Sequence, residues 1–108
     1  MSYTLPAPFK EIAREYPDVC NAFENLGTKC HDAGPLNERA RKLAKLGIAI
    51  GTGSEGAVHS AVRNALHADV PKEEIMHVGI LAITTVGLPH ATAAITWIKD
   101  LLEDHDRS

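Results

Sequence analysis

The sequence has 108 residues, of which 44% are hydrophobic and 5% aromatic, and its formal net charge at pH 7 is −3. This length suits one domain, and its core must be aliphatic and rich in alanine. The basic residues are interspersed with acidic ones, which argues against nucleic acid as a partner. Without a membrane-spanning apolar run or a signal peptide, we expect a cytoplasmic protein with no membrane partner.

The first part of the chain, residues 1–35, is predicted to form an N-terminal helical arm. Its proline-containing start, residues 1–8, predicts an extended segment, and Phe9–Glu15 predicts a short helix. A second helix should begin after Pro17, since proline suits the first turn of a helix, and should end near Asp32.

The remainder, residues 36–108, is predicted to form the helical core of the same domain. Apolar residues recur at helical spacing in four segments, and β-branched runs inside two of them favour strands on propensity alone. We prefer helices because each run lies within a longer segment of helical period. The first helix is predicted over Glu38–Ile50, the second from the residue after Ser54 to about Asp69, the third from Pro71 to Val86, and the last from about Pro89 to Glu103.

Further details of the core helices follow from the same pattern. Asn37 and Ser54 are predicted N-caps, because their side-chain oxygens can accept unpaired backbone N–H groups. Residues 78–86 are apolar on nearly all sides, which predicts a central, buried helix. Residues 104–108 should fray. The fold class is therefore all-α, with about six helices in one domain.

The turn Gly51–Gly56 matches the pattern G-x-G-x-x-G. A dinucleotide site requires a strand before this pattern, whereas the preceding residues, Arg39–Lys45, predict a helix. A phosphate loop is also disfavoured, since no Gly-Lys-Ser/Thr follows. We therefore predict no cofactor at this turn.

Candidate catalytic residues lie near the starts of two helices. Glu55 and His59 are four residues apart and share a helix face, where such a pair can pass a proton or bind a metal. Two ligands are too few for a tight site, so no metal is predicted. His90 follows Pro89, where helix N–H groups can bind an anion. The alternative for all three is structural: a helix-end acid, a histidine at a subunit contact and an ordinary helix-end residue.

Cys20 and Cys30 are ten residues apart. This spacing matches neither a Cys-x-x-Cys redox pair nor a metal-binding knuckle. We expect ordinary buried or half-buried thiols, with a redox role as the alternative.

The order of motifs from Leu36 to Leu102 resembles the carboxymuconolactone decarboxylase family, which includes the AhpD-like alkylhydroperoxidases. The resemblance implies an all-helical fold that assembles as homotrimers or homohexamers with sites at subunit contacts. It rests on the glycine turn and on four further segments: Glu38–Leu43, His59–Leu66, Pro71–Ile75 and Thr85–Ala91.

The peroxidase branch of that family uses a glutamate, a Cys-x-x-Cys pair at a helix start and a histidine four residues later. Aligned through residues 62–66, this chain has Lys42 at the glutamate position, Ser54 and Ala57 at the cysteine positions, and Ala61 at the histidine position. With all four replaced, cysteine-based peroxide reduction cannot occur at this site.

Three functional hypotheses follow. The first is a small-molecule enzyme or binding protein with a site near Glu55 and His59, as the decarboxylase branch implies; His90 and Arg63 could add groups that hold the carboxylate of a lactone acid. The second is a catalytically silent oligomeric module with a regulatory or assembly role. The third is a peroxidase-like antioxidant role through Cys20 and Cys30.

Overall fold

The computed structural model describes the backbone of residues 7–107 and the side chains of residues 10–106. Within this range the chain is all-helical and contains no strand, so the all-α prediction is confirmed and the strand alternative is wrong. Ala7 and Pro8 are already helical, and the rest of the predicted extended segment, residues 1–6, lies outside the described residues. The six helices are α1 (Ala7–Glu15), α2 (Pro17–Asp32), α3 (Glu38–Thr52), α4 (Glu55–His67), α5 (Lys72–Val86) and α6 (Leu88–Arg107).

The turn between α3 and α4 is built from two capping residues. Gly53 ends α3 in the left-handed conformation, with φ of 72°, where glycine avoids the steric cost of a Cβ atom. Ser54 then begins α4, and its Oγ accepts a hydrogen bond from Ala57 N at 3.2 Å. Asn37 caps α3 in the same way, accepting from Ala40 N at 2.8 Å. Both predicted N-caps are confirmed, and because α3 precedes the turn, the strand needed for a dinucleotide site is absent from this part of the structure.

The hydrophobic core lies among α3, α4, α5 and α6. α3 packs against α4 and α5, and α6 packs against the same two helices. The core is almost entirely aliphatic, as the composition predicts, and burying each larger side chain contributes about 1.5–3 kcal/mol. Its largest fully buried members are Leu46, Ile50, Val58, Val62, Ile75 and Ile98.

α1 and α2 pack mainly against each other. None of the described side chains of this hairpin belongs to the central core. Cys20 is buried, but the larger apolar side chains of α2 are about half exposed: Val19 at 59%, Phe23 at 49% and Leu26 at 58%. The apolar periodicity thus predicts the helix correctly, but in the isolated chain this face is largely uncovered.

The prediction that α5 is buried on nearly all sides is wrong in part. Ile75, Gly79 and Ala82 are buried, whereas Ile80 and Leu81 are 49% and 55% exposed. The physical reason is that α3 and α6 cover two sides of α5 and no helix among the described residues covers the third. An apolar face that meets another copy of a chain has the same sequence pattern as one that meets the core.

The end of α6 also differs from the prediction. Of residues 104–108, which were expected to fray, residues 104–107 are helical and α6 continues to Arg107, while Ser108 lies outside the described residues. Asp106 forms an ion pair with Lys72 at the start of α5, which ties the last turn to the core. Leu102, buried one turn earlier, anchors the same segment. Among the helices that the structure describes, none is both long enough and apolar enough to cross a membrane.

Candidate functional site

His59 on α4 lies between two carboxylates, one from its own helix and one from α6. His59 Nε2 is 3.9 Å from Glu55 Oε2 and 3.6 Å from Asp100 Oδ2. The structure thus brings two predicted site residues together and adds a third, Asp100, that sequence reasoning missed. We call these three residues the His59 cluster.

Local sequence explains how each side chain reaches the cluster. The Ser54 cap fixes Glu55 as the first residue of α4, and the helical repeat places His59 one turn later on the same face. On α6, Ile98 and Leu102 are buried against the core, so Asp100 between them lies at the rim, with its side chain 54% exposed. Partly exposed positions on α4 and α6 therefore place the carboxylates of Glu55 and Asp100 next to the imidazole of His59.

His59 is partly buried and has two carboxylates near its Nε2 atom. Its side chain is only 23% exposed. Its Nε2 atom is buried and has no hydrogen-bond partner among the described residues. The carboxylate distances exceed the 2.7–3.2 Å typical of N–H···O hydrogen bonds. Two carboxylates thus lie within ion-pair distance of a buried nitrogen but form no hydrogen bond with it, an arrangement that suits a bound cation.

Next to the cluster, a shallow depression of about 200 Å³ lies between α4 and α6. Arg63 lies one turn beyond His59, and Asp104 one turn beyond Asp100, so α4 and α6 run in the same direction at this contact. The depression is lined by two leucines and by charged or titratable side chains, a mixture suited to a small polar molecule. Its lining residues are Arg63, Leu66, His67, Leu101, Asp104 and His105.

His90 does not belong to the His59 cluster. Its Nε2 lies 2.7 Å from the backbone oxygen of Ile50, in the last turn of α3. Its ring also closely approaches Gly53, where an added Cβ would be 3.1 Å from His90 Cε1. The Ile50 carbonyl, which also accepts from Gly53 N, thus gains a second partner at the end of α3, and this contact gives His90 a structural role. Its catalytic role stays a prediction.

Lys42 is the residue that the resemblance aligns with the glutamate of the peroxidase branch. Its side chain is 9% exposed, and burial lowers the pKa of its ammonium group, with neighbouring Lys45 and Arg41 lowering it further and Glu38 raising it. A buried cation cannot act as the carboxylate base of the peroxidase branch. His31 on α2 lies near the same three basic residues, Lys45, Lys42 and Arg41. Burial lowers the pKa of the His31 imidazole, and the three positive charges lower it further.

Cys20 and Cys30 are both free thiols, the first buried and the second exposed. They lie in one continuous helix, where ten residues correspond to about 15 Å at a rise of 1.5 Å per residue. Disulfide formation requires Cα atoms within about 7 Å, so these thiols cannot pair with each other while α2 is folded. We expected both thiols to be at least half-buried. Because Cys30 is exposed, that expectation is wrong for Cys30.

The His59 cluster is the one group of three metal-binding side-chain types that converges among the described residues. Its ligand atoms lie within 4.8 Å of one another. Nothing in the spacing of the sequence links Asp100 to Glu55, because their proximity depends on how α6 packs against α4. Only a correct prediction of that helix contact could have identified Asp100.

The sequence model of the carboxymuconolactone decarboxylase family matches residues 17–100. This range covers most of the chain and runs from the start of α2 to Asp100, so it contains the whole His59 cluster. The chain belongs to the carboxymuconolactone decarboxylase family. Neither the comparison with curated proteins nor that with solved structures returned a match.

Membership of the carboxymuconolactone decarboxylase family confirms the resemblance inferred from the motifs. The matched range also extends upstream of Leu36, where that resemblance began, and includes all of α2. The matched range contains Lys42, Ser54, Ala57 and Ala61, the residues that the resemblance places where the peroxidase branch has its glutamate, two cysteines and histidine. The chain therefore combines the family's helical fold with a different set of polar side chains.

Proposed function

We propose that this member of the carboxymuconolactone decarboxylase family binds or converts a small molecule in the groove between α4 and α6, without cysteine-based peroxidase chemistry. The observation that carries the proposal is His59, whose buried Nε2 faces the carboxylates of Glu55 and Asp100. An imidazole between two carboxylates can accept a proton from a ligand and return it, which is the basis of general acid–base catalysis.

The depression beside the cluster supports a ligand with an acidic group. Arg63 lines it and can pair with a carboxylate in a bidentate geometry. Leu66 and Leu101 provide apolar contacts at the same place. A small organic acid with a short apolar body, such as a lactone acid, matches these features. In this proposal Arg63 holds the acid and His59 exchanges the proton.

Assembly is part of the proposal. The uncovered apolar side chains of α2 and α5 support a homotrimer or homohexamer, in which a neighbouring chain covers faces that the isolated chain exposes. The depression is open on one side, so a neighbouring chain could complete it. Cytoplasmic location remains an expectation from the sequence.

A catalytically silent regulatory or assembly module is the second candidate function. The observation that favours it is the replacement of the glutamate, both cysteines and the histidine of the peroxidase branch, with a buried lysine in place of the glutamate. Such a module would keep the fold and the assembly without binding a small molecule. An antioxidant role that requires Cys20 and Cys30 to pair is not supported, because α2 holds them apart.

A thermal-shift screen distinguishes these functions. The purified protein is mixed with lactone acids, simple dicarboxylic acids and organic peroxides, and its melting temperature is recorded. We expect at least one acid to raise the melting temperature, because a ligand that binds the native state stabilises it by mass action. The shift should be lost when Glu55→Gln and His59→Gln are combined.

The matched control carries Glu73→Gln and His77→Gln, which remove an acid and a histidine at the same spacing on the exposed surface of α5. This variant should keep the full shift. If no acid stabilises the parent protein, or if the Glu55 and His59 substitutions leave the shift unchanged, the silent module becomes the better account.

A further inference from the structure

Two of the three separations between the ligand atoms of the His59 cluster match those of a metal site, and all three atoms lie within 4.8 Å of one another. His59 Nε2 is 3.6 Å from Asp100 Oδ2 and 3.9 Å from Glu55 Oε2. A Zn²⁺ ion bonded at about 2.0–2.2 Å to imidazole nitrogen and carboxylate oxygen separates its ligand atoms by about 3–4 Å. The observed separations therefore leave room for a cation but are too long for a hydrogen bond.

A second observation points to the same cation. His59 Nε2 is buried and has no hydrogen-bond partner among the described residues. A buried polar atom without a partner costs free energy, and here its nearest polar neighbours are carboxylate oxygens. One divalent cation would satisfy the nitrogen and neutralise both carboxylates at once.

We propose that Glu55, His59 and Asp100 bind a divalent transition-metal cation of the Zn²⁺ type between α4 and α6. The imidazole ligand favours such a cation over Ca²⁺ or Mg²⁺, which prefer oxygen ligands throughout. The half-exposed carboxylates leave the remaining coordination positions open to water or to a ligand in the adjacent depression. The inference rests on the proposed function, since it assigns a metal to the same site. With the cation on His59 Nε2, that nitrogen no longer exchanges a proton, and a metal-bound water would do so in its place.

The chain contains a matched comparison for this site. Glu73 and His77 on α5 have the same four-residue spacing as Glu55 and His59, and both are exposed. They are not part of a three-ligand group among the described residues. If Asp100 is required as a third ligand, the Glu55–His59 pair should bind a metal and the Glu73–His77 pair should not.

Isothermal titration calorimetry with ZnCl₂ tests the site on the full chain after treatment with EDTA and removal of the chelator. We expect one Zn²⁺ per chain for the parent protein. Asp100→Asn should weaken Zn²⁺ binding at least about tenfold, and His59→Gln should weaken it further. The control with Glu73→Gln and His77→Gln should bind as the parent does. Circular dichroism checks that each variant remains helical.

The exposed thiol of Cys30 is a competing zinc ligand, so Cys30→Ser is titrated in parallel. Full binding by this variant supports the His59 cluster. The inference is overturned if the parent binds no Zn²⁺, if binding is lost in Cys30→Ser, or if Asp100→Asn binds as tightly as the parent. A small acid that stabilises the metal-stripped protein while Zn²⁺ does not bind would support the proposed function and refute the metal site.

Discussion

Lys42 is a largely buried lysine whose surroundings disfavour its charge. Its side chain is 9% exposed, and no residue that the structure describes forms a hydrogen bond or ion pair with it at close range. Burial lowers the pKa of its ammonium group, with further lowering by Lys45 and Arg41. The folded state therefore holds this proton less tightly than the unfolded state does.

Replacing Lys42 with Met should stabilise the protein, because the apolar side chain fills similar space without burying a charge. We expect a small gain in the free energy of unfolding at pH 7, measured by urea denaturation, because solvent that reaches the ammonium group screens part of the penalty. Below the folded-state pKa both states carry the proton, so the penalty of the charge is complete. Between that pKa and the ordinary lysine value of about 10.4, the penalty disappears as the folded lysine becomes neutral.

The difference between Lys42→Met and the parent should therefore be largest at neutral pH and should shrink as the pH approaches 10. Lys45→Met is the matched control, because Lys45 is exposed on the same helix. This control should change stability little at either pH. A destabilised Lys42→Met protein would instead mean that the ammonium group has a compensating partner in the native assembly.

At the scale of the helices, the N-cap of α4 positions the proposed site. Ser54 Oγ accepts the backbone N–H of Ala57, and Glu55 follows immediately as the first residue of the helix. If the first turn frays, Glu55 moves away from His59. The cap thus links a local hydrogen bond to the geometry of the site.

Ser54→Ala removes this hydrogen bond and should reduce the free energy of unfolding by about 1 kcal/mol, as measured by chemical denaturation. Ser54→Asp keeps an acceptor oxygen and should remain close to the parent in stability. Ser54→Ala should also weaken Zn²⁺ or ligand binding at the His59 cluster. Equal stability of the Ala and Asp variants would show that the cap contributes nothing.

The helices show how far sequence reasoning reaches. Asn37 and Ser54 were predictable as caps because capping depends on residues within one turn of each other. The end of α6 was not predictable, because the Lys72–Asp106 ion pair joins segments 34 residues apart. Asp100 was missed for the same reason. Its place in the site depends on the packing of α6 against α4, which no local pattern encodes.

At the scale of the whole molecule, apolar side chains of α2 form a stripe that the isolated chain does not cover. Val19, Phe23 and Leu26 follow helical spacing on one side of α2 and are 49–59% exposed. Single exposed apolar residues are common, but a continuous stripe is typical of a surface that meets another chain. Since α1 packs on α2 and leaves this stripe largely exposed, we expect a second copy of the chain to cover it.

This expectation gives a test of the proposed assembly. The parent protein should elute as a multiple of its 11.6 kDa chain mass in size-exclusion chromatography with light scattering. Combining Val19→Lys and Leu26→Lys places two charges in the stripe and should shift the protein to smaller species, because burying an unpaired charge at an interface is costly.

The matched control adds the same two charges on α2 outside the stripe, at the exposed positions Asn21 and Asn25. Asn21→Lys with Asn25→Lys should keep the parent mass, which separates a loss of apolar contact from a change in net charge. A parent protein that elutes at the mass of one chain would contradict the assembly. In that case the stripe on α2 would need another partner, and the groove between α4 and α6 would have to bind its ligand without a neighbouring chain.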